Sequence, residues 1–186
     1  MLGYDAARWH AALNDIPAAV LLLAVLFDFG AAVFKRESLK WAGIWTLWAG
    51  VIGGWVAVVA GELAEKSLAH GEAIHDLMEL HERQALVTMG IFTVILGWKM
   101  YRRFALPAKE EWVTRGLGIL GVVGLVYVAS IGGKLVFEHA AGIPTETIQA
   151  EIQNRTEGHE HEGGAPADTA KAATHVDPPG TPAHKH

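Results

Sequence analysis

Four apolar blocks, separated by short charged segments, fill nearly all of the chain between Leu13 and Phe137. A helix needs about 20 apolar residues to cross a hydrocarbon core of roughly 30 Å, and each block approaches or exceeds that length. A soluble helix so long would carry a polar stripe, and these blocks mostly do not. The pattern predicts an all-α fold, an integral membrane four-helix bundle of up-down topology. The spans fall at about residues 14–34, 41–63, 83–100 and 112–137 within a transmembrane domain of residues 10–143. In the first span, Asn14 or Asp15 is placed to cap the helix, and Pro17 sits in a first turn where its missing N–H costs nothing. Trp41, Trp45, Trp48, Trp98, Tyr101 and Trp112 lie near span ends, as amphipathic rings do at headgroup level.

The start, MLGYDAARWH, lacks the basic segment of a secretory signal, and no small-residue cleavage site follows the first block, which predicts a retained helix. The chain has no cysteine, so disulfides, thiolate metal sites and iron–sulfur ligation by this chain alone are excluded. Its net charge of −5 and the lack of a basic stripe outside short loops argue against nucleic acid as a partner. The expected partner is the lipid bilayer.

Basic residues set the expected orientation. Lys35, Arg36 and Lys40 follow span one, and Lys99, Arg102, Arg103, Lys109 and Arg115 flank the connection after span three. An up-down bundle puts these two segments on one side, which the positive-inside rule makes cytoplasmic. The N-terminus, the acidic segment between spans two and three and the C-terminal tail then lie outside, in a bacterial inner membrane. Residues 144–186 form a polar tail. TETIQAEIQNR is a candidate short helix, and from Glu157 onward the Gly, Pro, Ala, Thr and His content predicts disorder.

With that topology every histidine falls on the non-cytoplasmic side. His10 precedes span one, His70, His75 and His81 lie between spans two and three, and His139 follows span four. His10, His81 and His139 come from three helix ends that a bundle brings together, and neutral imidazole ligates both metal ions and haem iron. The plain alternative is interfacial histidines at helix ends. Along HGEAIHDLMELHE, His75, Glu79 and Glu82 share a helix face, whereas His81 points roughly 120° away at 3.6 residues per turn. His75 is thus expected to stand apart, as a separate metal-ligand candidate. In the tail, His159, His161, His175, His184 and His186 are candidate ligands for nickel, zinc or copper on a chain that imposes no geometry.

Span two repeats small residues every fourth position, at Ala49, Gly53, Ala57 and Gly61, and span four carries Gly118, Gly121, Gly124, Gly132 and Gly133. Tight helix packing explains this pattern; a flat macrocycle lying against the glycines is the functional alternative. Asp28 is the one acid well inside a span, functional by default or simply reaching Lys99 or Arg102 at the interface.

The stretch from His10 through NDIPAA, the VAGELAE end of span two, the His81-Glu82 start of span three and GGKLVFEHAAGI after span four resemble the bacterial membrane family catalogued as domain of unknown function 2231. The likeness covers residues 10–143, and its most specific piece is GGKLVFEHAAGI, similar to a family ending Gly-Gly-x-Leu-Val-Tyr-x-His-Gly. His10, Pro17, His81 and His139 match family positions. Ala11 stands where the family has proline, and Asp15 where it has a second histidine. The resemblance implies redox company, since some members are joined to Rieske-type iron–sulfur domains.

These readings lead to one expectation and two rivals. The expectation is a non-enzymatic membrane protein holding haem b through two of His10, His81 and His139, and passing electrons alone or within a respiratory complex. The rivals are a transition-metal-handling protein that uses its His-rich tail and a cofactor-free structural subunit.

Overall fold

The computed structural model describes residues 5–67 and 72–157. They form five helices, α1 (Ala6–Phe34), α2 (Glu37–Ser67), α3 (Glu72–Tyr101), α4 (Ala108–Phe137) and α5 (Thr145–Glu157). The chain divides into two units, Met1–Ile143 with α1 to α4 and Pro144–His186 with α5. Each of α1 to α4 has 29 to 31 residues, about 45 Å at 1.5 Å per residue. All four are long and apolar enough to cross a membrane.

α1, α2 and α3 exceed the apolar spans at the histidine end, while α4 stops at Phe137 as expected. α1 starts at Ala6, where Asp5 accepts a hydrogen bond from the Arg8 backbone N–H at 2.9 Å. The expected cap at Asn14 or Asp15 is therefore corrected, and Pro17 lies inside the helix, buried, with its ring against Gly53. The physical reason is that Ala7, His10, Ala11 and Asn14 follow one face at helical spacing and look into the bundle, so helical structure continues past the apolar block. α2 and α3 likewise run on into the acidic segment, to Ser67 and from Glu72.

Neighbours in the bundle are α1 with α2, α2 with α3, α3 with α4 and α4 with α1. This closed ring of antiparallel helices places α1 diagonally from α3. Many large apolar side chains point outward, among them Ile52, Val56, Val94, Val123 and Val126, the distribution expected where the surroundings are lipid. Lipid tails are as apolar as leucine, so close packing must hold such helices together. Here large residues sit on glycines. Phe92 and Leu21 are fully buried; a Cβ added at Gly121 would lie 2.7 Å from the Phe92 ring, and one at Gly50 2.6 Å from Leu21. Gly50 and Gly121 thus serve packing in the middle of the bundle, and of the span-two repeat Gly53 does so against Pro17 while Ala49 is exposed.

An ionic cluster closes the other end. Asp28 of α1 accepts from Lys99 Nζ of α3 at 3.0 Å and lies 3.5 Å from Arg115 Nε of α4. Arg115 also reaches Glu111 at 3.2 Å. Lys99 and Arg115 are almost fully buried. Paired charges of this kind are what an intramembrane acid requires. α3 then ends in a two-bond turn, Arg103 N–H to Met100 O at 2.8 Å and Phe104 N–H to Lys99 O at 2.7 Å, with Arg103 left-handed at φ 49°. This is a Schellman arrangement without the usual glycine.

Candidate histidine cavity

Above the Leu21–Met89 layer the four helices part around a cavity of about 600 Å³, lined by all of them. Ligand sites commonly measure about 300–1,000 Å³ and are mostly apolar with a few polar groups. The space arises because facing positions carry small residues, including Ala11, Ala57, Gly61, Ala85, Ala129 and Gly132. Leu125, Val128 and Met89 line its deeper part. Asp15, Glu62, Glu65 and Glu82 supply carboxylates and Arg8 a cation.

Two imidazoles meet in this cavity. His10 of α1 and His81 of α3 have ring centroids 6.3 Å apart and planes at 90°. His10 Nδ1 lies 3.0 Å from the Ala57 carbonyl oxygen of α2. A carbonyl only accepts, so Nδ1 carries a proton, and in the neutral tautomer Nε2 is the nitrogen with the lone pair. His81 packs against α4 at Gly132, and its Nδ1 is buried without a hydrogen-bond partner. A buried nitrogen without a partner is costly, and His10, anchored to a carbonyl through one nitrogen, has the arrangement in which the other serves as a ligand. Glycines seat both rings: a Cβ added at Gly61 would lie 2.9 Å from His10 Cε1, and one at Gly132 3.2 Å from His81 Cε1.

The three expected histidines separate into a pair and an outlier. His139 is exposed in the turn after α4 and is not among the residues lining the cavity. The segment around it still shapes the site. Ala140 takes a left-handed conformation at φ 53° and Gly142 one at φ 80°, turning the chain so that Ala141, Gly142 and Ile143 line the cavity. His75 is exposed, with Nδ1 4.0 Å from Glu65, and stands apart from the pair. His159, His161, His175, His184 and His186, like His70, lie outside the described residues. Sequence reasoning missed the Ala57 carbonyl and the seating role of Gly61 and Gly132. Gly61 was signalled only as the last member of the four-residue repeat.

Residues 8–145 match the family model described as "predicted membrane protein (DUF2231)". The chain belongs to this family. The matched DUF2231 region takes in every residue of the His10–His81 cavity except Ala7, and it ends just after the turn that carries His139. No curated protein and no solved structure matches the chain.

Proposed function

We propose that this DUF2231 protein holds a b-type haem between His10 and His81 and takes part in electron transfer, in a bacterial inner membrane with the basic turns facing the cytoplasm. The observation that carries the reading is the pair of imidazoles lining one cavity, His10 anchored to the Ala57 carbonyl and His81 with a buried, unpartnered Nδ1. With ring centroids 6.3 Å apart, His10 and His81 are the side chains that would hold the haem. Haem iron needs only two protein ligands, whereas a bare ion held by protein alone usually takes three or four. Among the described residues no group of three or more His, Asp or Glu side chains is arranged to hold an ion. When bound, haem would supply one-electron chemistry. The chain's own part is to orient two imidazoles and give a flat ring an Ala/Gly-lined space.

Glu62, Glu65, Glu82 and Asp15 around the cavity favour a second reading, a transition-metal cation collected at the histidine end with the tail histidines. A membrane redox or respiratory complex is the proposed partner in the first reading, and none is needed in the second. An absorption spectrum of the full chain expressed with ample haem separates them. A sharp Soret band with reduced α and β bands supports the first. Colourless protein that binds nickel, zinc or copper in a metal titration supports the second.

A further inference from the structure

We infer that the turn end of the bundle binds the headgroup of an anionic phospholipid. Residues 28–40 and 99–115, the two segments at that end, carry eight lysines and arginines against four carboxylates. Three of the four carboxylates are paired with cations, and the fourth, Glu37, accepts from a neutral indole and leaves the basic residues in clear excess. Asp28 holds Lys99 and Arg115, Glu111 holds Arg115, Glu110 holds Arg102, and Glu37 accepts from the Trp41 indole at 3.4 Å. Lys35, Arg36, Lys40, Arg103 and Lys109 are left over. Among the described residues none of the five has an ion-pair partner, and all but the half-buried Lys40 are exposed.

The two turns form one surface. Trp41, near the start of α2, packs against Phe104 of the α3–α4 connection with ring centroids 6.0 Å apart. Lys40 precedes that tryptophan and Arg103 precedes that phenylalanine, so the contact gathers cations from both turns.

A lipid fits better than a free anion because apolar surface adjoins the charge. Val33 and Phe34 are exposed by 71% and 68% immediately before Lys35, and Trp45 and Trp112 by 69% and 62% close by. Tryptophan prefers the boundary between headgroup and acyl chain, and a basic cluster flanking a membrane helix attracts anionic headgroups. A phosphatidylglycerol molecule can meet the cations with its phosphate and the apolar surface with its chains. Inorganic phosphate can do only the former.

The test is native mass spectrometry of the full chain in detergent with equal amounts of phosphatidylglycerol and phosphatidylcholine. The expected result is a preference for phosphatidylglycerol of at least about ten-fold, given the several basic residues that act together at such a surface, and a smaller preference at high salt. Replacing the five cations together by glutamine should remove the preference. A charge-keeping variant, with the three lysines changed to arginine, should retain it, as should Lys66→Gln/Lys134→Gln at the other end of the bundle. Equal uptake of the two lipids by the natural sequence overturns the inference even if the five-fold variant fails to fold. Displacement of the lipid by inorganic phosphate at matched concentration also overturns it, because it would mark an anion site indifferent to lipid.

Discussion

His10 and His81 stand with their ring centroids 6.3 Å apart and their planes perpendicular, although they come from diagonally opposed helices. Diagonal helices in such a bundle touch only through long side chains reaching the axis. The small residues around the two rings leave a cavity that the rings enter from α1 and α3, His10 fixed by the Ala57 carbonyl of α2 and His81 seated against Gly132 of α4. The arrangement is built from four helices and depends on all of them.

The glycine seat under His10 can be tested without touching a ligand. Gly61→Ala puts a Cβ 2.9 Å from His10 Cε1, so the ring must move. Any bound cofactor's spectrum should shift or weaken while helix content by circular dichroism stays unchanged. Gly97→Ala is the control, since a Cβ there meets nothing within 4 Å. It should leave the spectrum unaltered and stabilise the helix by up to about 1 kcal/mol.

The ionic cluster predicts a coupled stability effect. Asp28→Asn leaves Lys99 and Arg115 buried, with Glu111 still paired to Arg115 and the Asp28 partner of Lys99 gone. Removing one partner of a buried charge pair costs about 3–5 kcal/mol. Lys99→Met removes one of the stranded cations, so the double variant should be more stable than Asp28→Asn alone. Unfolding in detergent measured across the double-mutant cycle checks this; simple additivity would show that the pair does not interact.

How much of this was legible in the sequence follows from what each feature depends on. The four helices follow from apolar block length, a local property, and the His10–His81 pairing follows in part from which helix ends share a side. His139 shared that side too, yet its side chain is exposed. Side membership does not fix direction, and the direction here depends on a left-handed turn at Ala140 and Gly142 that the sequence pattern did not announce. The start of α1 was misplaced because Pro17 resembles a first-turn proline, while cavity-facing Ala7 and His10 extend the helix by packing. Asp28 was expected to reach Lys99 or Arg102; it reaches Lys99 and Arg115, a choice set by the bundle and not by chain proximity.

Orientation is open to direct chemistry because the chain has no cysteine. Single cysteines at Ser38 and Glu160 can be probed in intact cells with a membrane-impermeant thiol reagent. Labelling at position 160 and not at 38 is expected. The reverse pattern would invert the bundle.

Truncation after Glu157 tests the tail histidines. Titration calorimetry with nickel or zinc should show weak, proton-competed uptake in the full chain and its loss on truncation, with the fold of the bundle intact. Equal metal binding by both forms would remove the tail from any ligand role.

The most direct test of the histidine pair is the absorption spectrum of the full chain expressed with ample haem, compared with His10→Ala, His81→Ala and His139→Ala. The expected result is a bis-histidine b-type spectrum in the natural sequence, lost or shifted when either His10 or His81 is replaced, since loss of an axial ligand changes the iron's coordination, and unchanged in His139→Ala. A colourless natural protein, or a spectrum that survives both the His10 and the His81 replacement, would contradict haem ligation by this pair.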